Sequence, residues 1–394
     1  MACFYISFIL SIEYLVLVTS HPDENLTGMQ LIQKYNYPAE MHTYATKDGY
    51  ILKALRIPHG RHNNHSKESV VLVHGMGGRS ENFILLGPPN SLAFYLSDQG
   101  YDVWLFNARG TALSRRHRTL NPNKERKKFW NFSWHEMAVY DLPATIDYIL
   151  KQTGRKSVFY VGHSQGTTIL MVLLAELPEY NEKIRIGVLL APSAYLNYTH
   201  SPLIALGAKL YGLGERLLAL VNWYEMPTPN SQSINSLIKI LCISLQDICV
   251  DVVNFIGGTD SGLLNKTAMP LLLEHGPSGF AAKQVWHYAQ IIASGEFKQY
   301  DYGAKNNMKM YNSSKPPKYD LSRVTAHLAL FYSTNDPYSN HKMIEKLKEH
   351  LPAYTLTYEV PVRNFNHLDY LIARNLKGII NEPVYDIFKV HEIK

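Results

Sequence analysis

A Gly-x-Ser-x-Gly pattern is the strongest chemical signal in this chain of 394 residues. It reads Gly162-His163-Ser164-Gln165-Gly166, with an apolar, strand-like run before it and a helix-like run over residues 167–177 after it. In that context the glycines permit a sharp turn that lifts the serine hydroxyl out of a sheet. The start of the following helix also favours developing negative charge. Ser164 is therefore the predicted nucleophile.

Acyl transfer at a serine also needs donors for the oxyanion of the tetrahedral intermediate. One predicted donor is the main-chain N–H of Gln165, directly after the serine. The other is that of Met76, in the glycine-rich loop His74-Gly75-Met76-Gly77-Gly78 that follows the apolar run Val70–Val73. A plain glycine-rich turn at the end of a strand is the alternative interpretation of this loop.

The serine also requires a histidine base and a carboxylate that orients it, and in this kind of site the acid precedes the histidine in the chain. His367 follows the last strand-like run, and Asp336 lies in the turn after the run 327–332. Catalytic groups of parallel sheets gather at the carboxyl ends of strands, which favours Asp336 as the acid. Asp369 is the competing acid, but only two residues from His367 it is expected to face elsewhere or to cap the following helix, and Asp141 is predicted to cap a helix.

The surrounding elements predict a mainly parallel sheet. Two strand-like runs, Glu40–Ala45 and Tyr50–Ile57, are joined through Asp48-Gly49, which is a hairpin signal. Short apolar runs follow and alternate with helix-like segments such as Leu142–Leu150, a pattern typical of parallel strands covered on both faces. The apolar runs are Val70–Val73, Asp102–Phe106, Val158–Val161, Gly187–Leu190, His327–Tyr332 and Leu356–Val360.

The alternation stops between residues 195 and 317, where helix-like pieces predominate and no clear strand is found. We interpret residues 195–317 as a helical cap, inserted into a core formed by residues 21–194 and 318–394. Its most apolar piece, Leu203–Val221, contains Lys209, Glu215 and Arg216, which argues against a membrane span. That piece is predicted to be an amphipathic helix whose apolar face either packs inside the cap or meets lipid.

Composition narrows the functional classes. The formal charge of +6 arises from 39 basic and 33 acidic residues scattered along the chain, which does not indicate a nucleic-acid partner. No metal-binding or nucleotide-binding motif is found, so neither a metal nor a cofactor is predicted. Residues 1–20 are mostly apolar and end in small residues, which predicts a signal peptide, with a buried N-terminal helix as the alternative. No transmembrane anchor is expected after its removal, and the oligomeric state is not predicted.

Further features agree with the secretory pathway. After removal of the signal, Cys242 and Cys249 are the two cysteines left, and they predict one local disulfide in an oxidising compartment, with two buried free thiols as the alternative. Asn131 lies among aromatic residues, so we expect it to be too buried for modification. Glycosylation sequons occur at Asn25, Asn64, Asn131, Asn197, Asn265 and Asn312.

From about Tyr35 to the C-terminus the chain resembles the acid lipases, a group that includes gastric, lysosomal and many insect lipases. The similarity extends well beyond the Gly-x-Ser-x-Gly pattern. The matching stretches are Asp48–Leu52, Asn107–Gly110, Ser114–Arg116, Phe129-Trp130, Glu136–Ala138, Tyr140–Asp147, Gly162–Gly166 and Asn366–Asp369.

The resemblance implies an α/β-hydrolase fold, with an N-terminal antiparallel hairpin and a helical lid. It implies hydrolysis of triacylglycerols or sterol esters, places the family's serine, aspartate and histidine on Ser164, Asp336 and His367, and places its oxyanion donors on Met76 and Gln165. The cap disulfide of the family falls on Cys242 and Cys249, whereas another cap cysteine is replaced by Gly257. The loop Met76-Gly77-Gly78 and the segment after Asp336 also depart from the family pattern, which leaves substrate preference open.

Three functions are therefore considered. The first is a secreted or lysosomal lipase or sterol esterase that acts on lipid esters at an interface. The second is a soluble carboxylesterase or acyltransferase with the same three residues, and the third is a non-catalytic lipid-binding relative. For either enzyme we expect activity to fall as His367 becomes protonated, because only a neutral imidazole can act as the base.

Overall fold

The computed structural model describes residues 22–23, 25–62, 68–226 and 246–392. The predicted signal peptide 1–20, the sequon residue Asn64 and Cys242 lie outside these residues. The bridge between Cys242 and Cys249 therefore stays a prediction.

A twisted sheet of nine strands forms the centre of the protein, in the order β1-β2-β4-β3-β6-β7-β10-β11, with β5 paired to β2. Strands β1, β2 and β4 pair antiparallel, whereas every pairing from β4 through β3 to β11 is parallel. The strands of this sheet are β1 (Glu40–Ala45), β2 (Tyr50–Ile57), β3 (Ser69–Val73), β4 (Asp102–Leu105), β5 (Arg116–His117), β6 (Val158–His163), β7 (Ile184–Leu190), β10 (Leu328–Tyr332) and β11 (Leu356–Glu359).

The N-terminal hairpin is confirmed. Tyr50 O accepts a hydrogen bond from Thr46 N at 2.8 Å, which closes the turn, and Ala45 pairs with Ile51 in the ladder. Gly49 adopts a positive φ of 101°, a conformation that glycine reaches without steric cost. The Asp48-Gly49 pattern therefore marks a turn that requires a positive φ, which few residues other than glycine adopt.

Helices cover both faces of the sheet. Alternate residues of one strand pack into different cores, since Val71 and Val73 belong to one hydrophobic cluster and Val70 and Leu72 to the other. Both faces are thus buried, as expected for parallel strands. The α-helices within the described residues are α1 (Gly28–Lys34), α2 (Leu92–Asp98), α3 (Arg126–Phe129), α4 (Trp134–Glu136), α5 (Leu142–Thr153), α6 (Gln165–Glu176), α7 (Pro202–Leu220), α8 (Gln246–Gly257), α9 (Met269–His275), α10 (Ala282–Ser294), α11 (Ala304–Tyr311), α12 (His341–Lys348), α13 (Asp369–Ile372) and α14 (Glu382–His391).

The segment between β7 and β10 contains the helices α7 to α11. The expectation that it holds no strand is wrong in one place, because β8 (Glu225–Met226) and β9 (Phe280–Ala281) form a short antiparallel pair. Glu225 is buried there and makes an ion pair of 2.9 Å with Arg115 of the core. This pair depends on tertiary contacts between distant segments, and two-residue strands leave no alternating pattern to recognise.

The apolar run Leu203–Val221 is a helix, as predicted: it forms most of α7. Within the described ranges, none of the helices combines the length and the apolar character that a membrane crossing would require.

Candidate active site

Ser164 lies in a tight turn between β6 and α6. Its φ of 53° and ψ of −117° are unusual for a residue with a side chain. Its N–H donates to Leu190 O at 2.9 Å, which ties the turn to the neighbouring strand. A Cβ atom on Gly166 would lie 2.3 Å from Val73 O, so that position accepts only glycine. The strained turn raises the serine side chain above the carboxyl edge of the sheet.

His367 lies between Ser164 and Asp336. Its Nε2 is 2.7 Å from Ser164 Oγ, and its Nδ1 is 2.8 Å from Asp336 Oδ2. Because a carboxylate can only accept, Nδ1 carries the proton and Nε2 remains free to accept from the serine hydroxyl. Asp336 is fully buried and also accepts a hydrogen bond from Tyr338 N at 2.8 Å. The structure thus brings together all three side chains that the sequence predicts.

The main chain of His367 is held on both sides. Its N–H donates to Gly257 O at 2.8 Å, and its carbonyl accepts from Nε2 of His163 at 2.9 Å. Burial, together with the nearby His367 ring, lowers the pKa of His163 to about 3. His163 therefore stays neutral at pH values above about 3, with its proton on the Nε2 that donates to His367 O. Sequence reasoning missed this role, because His163 occupies a variable position of the Gly-x-Ser-x-Gly pattern.

The glycine-rich loop after β3 lies against the serine turn. A Cβ on Gly75 would be 3.0 Å from Ser164 Cβ, which shows how closely the two segments approach. The loop is held in place by Ser278 N, which donates to Gly77 O at 2.7 Å. Met76 is 39% exposed, and Gln165 is the first residue of α6, where main-chain N–H groups have no acceptor within the helix. These two segments are therefore positioned to supply donors beside Ser164.

The two other aspartates considered have different environments. Asp369 Oδ2 accepts from Asn366 N at 2.7 Å, and burial raises its pKa to about 6. Asp141 is at the N-terminal boundary of α5, but its side chain makes no capping hydrogen bond, so the predicted cap is wrong. Instead it is completely buried in an ion pair of 2.7 Å with Arg109. The physical reason is that a buried guanidinium needs a compensating carboxylate.

The described sequon residues are mostly accessible. Asn25, Asn131, Asn197 and Asn312 are exposed, and Asn265 is half-buried. The expectation that Asn131 is too buried for modification is wrong: its aromatic neighbours Trp130 and Phe132 point inward, whereas its own side chain faces solvent.

Comparisons with known proteins agree on one family. The family described as the partial alpha/beta-hydrolase lipase region matches residues 29–87, and the alpha/beta hydrolase fold family matches residues 68–222. Lipase 1 of Drosophila melanogaster is 38% identical, covering 91% of this chain and 78% of that protein. Gastric triacylglycerol lipase of Bos taurus is 36% identical over 93% of this chain and 92% of its own, and human lipase member K is 35% identical over 90% and 89%.

Solved structures show the same fold at low sequence identity. A soluble variant of monoglyceride lipase from Saccharomyces cerevisiae superposes with a TM-score of 0.51 at 15% identity, covering 89% of this chain and 95% of its own. The alpha/beta hydrolase GrgF from Penicillium sp. sh18 gives a TM-score of 0.54 at 11% identity, covering 90% and 99%. With its relatives and its fold taken together, this chain belongs to the acid lipase family, a group of carboxylic ester hydrolases with the α/β-hydrolase fold.

Proposed function

We propose that this protein is a lipase that hydrolyses carboxylic esters of neutral lipids, triacylglycerols or sterol esters, through an acyl-enzyme on Ser164. The observation that carries the proposal is the continuous chain of hydrogen bonds from Ser164 through His367 to Asp336. Ser164 Oγ lies 2.7 Å from His367 Nε2, and His367 Nδ1 lies 2.8 Å from Asp336 Oδ2. This hydrogen-bonded arrangement converts a weak hydroxyl nucleophile into a reactive one.

The geometry supports a two-step reaction. His367 Nε2 takes the proton of Ser164 Oγ as the oxygen attacks the ester carbonyl, and Asp336 stabilises the imidazolium that results. The main-chain N–H groups of Met76 and Gln165 stabilise the oxyanion. The imidazolium then protonates the departing alcohol, leaving an acyl group on the serine. A water molecule, deprotonated by the same imidazole, releases the carboxylic acid and restores the serine.

A lipid interface, rather than a dissolved ester, is favoured by the surface of α7. Its exposed leucines recur at intervals of three and four residues, which places them on one face of the helix. They are between 53% and 79% exposed, and they are Leu206, Leu210, Leu213, Leu217 and Leu220. We call them the leucine stripe. Soluble proteins rarely expose such a row without a partner, and lipid is the partner that an ester hydrolase of this family would meet.

Residues 195–317 are proposed to form the cap above the site. The support is that this segment interrupts the sheet between β7 and β10 and that it carries the leucine stripe. We also propose a secreted or lysosomal location, supported by the apolar N-terminus, the exposed sequons and the relationship to gastric lipase. The Cys242–Cys249 bridge and glycosylation belong to the same proposal.

An ester panel tests this function. Wild type and Ser164→Ala are compared on soluble p-nitrophenyl butyrate, on emulsified triolein and on dispersed cholesteryl oleate. We expect Ser164→Ala to lower kcat by about 10⁴- to 10⁶-fold on every ester that wild type hydrolyses. Activity on the butyrate alone would favour the soluble esterase, and an inactive wild type would favour a lipid-binding relative.

A further inference from the structure

A three-residue strap, Gly257-Gly258-Thr259, leaves the end of α8 and runs between the two loops that carry the acid and the histidine. We call these loops the acid turn (333–337) and the histidine loop (364–367). Gly257 O accepts from His367 N at 2.8 Å. Two residues further on, Thr259 O accepts from Asn335 Nδ2 at 2.9 Å. The strap therefore contacts a residue next to the acid and the histidine itself.

Asn335 joins the three segments. Its Nδ2 donates to Thr259 O and also to Asn364 O at 2.7 Å, while its Oδ1 accepts from the Thr259 hydroxyl. The contact between Thr259 and Asn335 is thus reciprocal, with one donor and one acceptor on each side. Because Asn335 directly precedes Asp336, a displacement of its amide would move the carboxylate that orients His367.

The strap also fits its surroundings closely. Gly258 adopts a φ of +124°, and a Cβ there would lie 2.7 Å from Asn335 O and 3.3 Å from Asn366 Cβ. Gly258 N donates to Asn254 O at 2.7 Å, which connects the strap to the last turn of α8. In addition, the side chain of Asn366 contacts Asn254 Oδ1 at 3.3 Å. No side chain fits between the strap and the acid turn.

We propose that Thr259 and Asn335 are positioning residues, through which the segment between β7 and β10 holds Asp336 and His367 in register with Ser164. This inference rests on the proposed function of those three residues. Neither Thr259 nor Asn335 touches the reacting atoms. Their effect is exerted through the acid turn, where a shift of about 1 Å can cost about 100-fold in rate.

Thr259→Val tests the proposal most cleanly, because Thr259 is exposed and its replacement is not expected to impair folding. The variant removes the hydroxyl that donates to Asn335. With p-nitrophenyl butyrate as substrate, we expect kcat to fall by about 10-fold or more while KM stays within about twofold. Thr259→Ser keeps the hydroxyl and should restore kcat. Thr357→Val makes the same replacement at an exposed position of β11 and serves as the control.

Asn335→Ala and the double variant provide a second test. If both residues act through one contact, the double variant loses no more rate than Asn335→Ala alone, since additivity fails for residues in contact. Multiplicative losses would overturn the proposal, and so would a kcat for Thr259→Val within about twofold of wild type. A melting temperature that falls while kcat is kept would assign Thr259 and Asn335 a purely structural role.

Gly258→Ala is a third test, and its expected effect does not depend on side-chain hydrogen bonds. The added methyl group meets the main chain of the acid turn, so we expect slower inactivation by a fluorophosphonate and a lower kcat. Gly262→Ala is the matched control, because Gly262 also has a positive φ, of +70°, but has no atom within 4 Å of the added Cβ. Labelling of wild type at Ser164 separates the two proposals. If wild type is not labelled at Ser164, the proposed function itself is contradicted; if it is labelled, the variants test the positioning role alone.

Discussion

The main-chain carbonyl of His367 accepts a hydrogen bond from Nε2 of His163 at 2.9 Å, so the neighbour of the nucleophile holds the residue that would deprotonate it. His163 is buried, and its lowered pKa of about 3 keeps the ring neutral, with Nε2 as the donor. The position of the base relative to the serine is thus controlled from the serine turn itself.

Replacement of His163 by leucine should therefore slow catalysis without abolishing it. Loss of one buried positioning hydrogen bond costs about 1–3 kcal/mol, which corresponds to a fall in kcat of about 5- to 150-fold. His163→Gln offers an amide N–H near the same place and should lose less. Steady-state kinetics on a soluble ester at pH 7 measures both variants, and equal kcat values for His163→Leu and wild type would refute the role.

The assignment of the acid separates Asp336 from Asp369. Asp336→Asn should lower kcat by about 10³- to 10⁴-fold, because an amide cannot hold His367 in the reactive tautomer. Asp369 accepts from Asn366 N, whereas His367 Nδ1 is hydrogen-bonded to Asp336, so Asp369→Asn should cost at most about tenfold. The two variants differ from wild type by the same chemical change, and kcat on p-nitrophenyl butyrate compares them. A larger loss in Asp369→Asn would reverse the assignment.

The buried His74 makes folding stability depend on pH. Its Nδ1 donates to Gly75 O and its Nε2 accepts from Ala108 N, so the folded protein requires the neutral ring, and burial lowers its pKa to about 4. Between this value and about 6.5, the unfolded chain binds a proton that the folded chain does not. Each pH unit of acidification in that window should remove about 1.4 kcal/mol of unfolding free energy.

Urea unfolding at pH 4.5, 5.5, 6.5 and 7.5 measures this effect. The contribution of the neutral His74 to the free energy of unfolding is complete above about pH 6.5 and is lost as the pH falls towards 4. His74→Gln should therefore flatten the pH dependence. Phe106→Leu, beside the same ring, should lower stability at every pH but leave the slope unchanged. Parallel pH dependences of His74→Gln and wild type would be incompatible with this explanation.

The leucine stripe on α7 should matter only for substrate at an interface. Replacing Leu206, Leu213 and Leu220 by serine weakens binding to a lipid surface by about 1 kcal/mol per residue, because each leucine no longer buries apolar area there. We expect hydrolysis of emulsified triolein to fall by about 100-fold, while p-nitrophenyl butyrate is hydrolysed at the wild-type rate. Val390→Ser, at an exposed apolar position of α14, is the control. Equal losses on both substrates would show that the stripe serves the fold rather than the interface.

Local patterns predicted most strands of the sheet and indicated the three side chains that the structure brings together. The run Tyr50–Ile57 matches β2 to the residue, and the Asp48-Gly49 turn directly precedes its first residue. The predicted strand Val158–Val161 is short by two residues, since Gly162 and His163 continue β6 into the serine turn without apolar character. Asp336 and His367 are selected by chain order together with their positions after predicted strands, because the carboxyl ends of parallel strands meet at one edge.

Contacts made between distant segments were not predictable in the same way. The strap reaches Asn335 across 76 residues of sequence, and no spacing rule connects the two. Asp141 was misassigned because the boundary of a helix suggests a capping side chain, whereas its role is set by Arg109, which lies 32 residues away. In both cases the partner is determined by tertiary packing and not by local sequence.

The central claim is that Ser164 is the nucleophile, and active-site labelling tests it most directly. The protein is incubated with a fluorophosphonate, digested and mapped by mass spectrometry. The structure predicts one modified peptide, carrying the label on Ser164, with loss of ester hydrolysis in proportion to labelling and no label in Ser164→Ala. A label on another residue, or full hydrolysis of long-chain esters by Ser164→Ala, would contradict it.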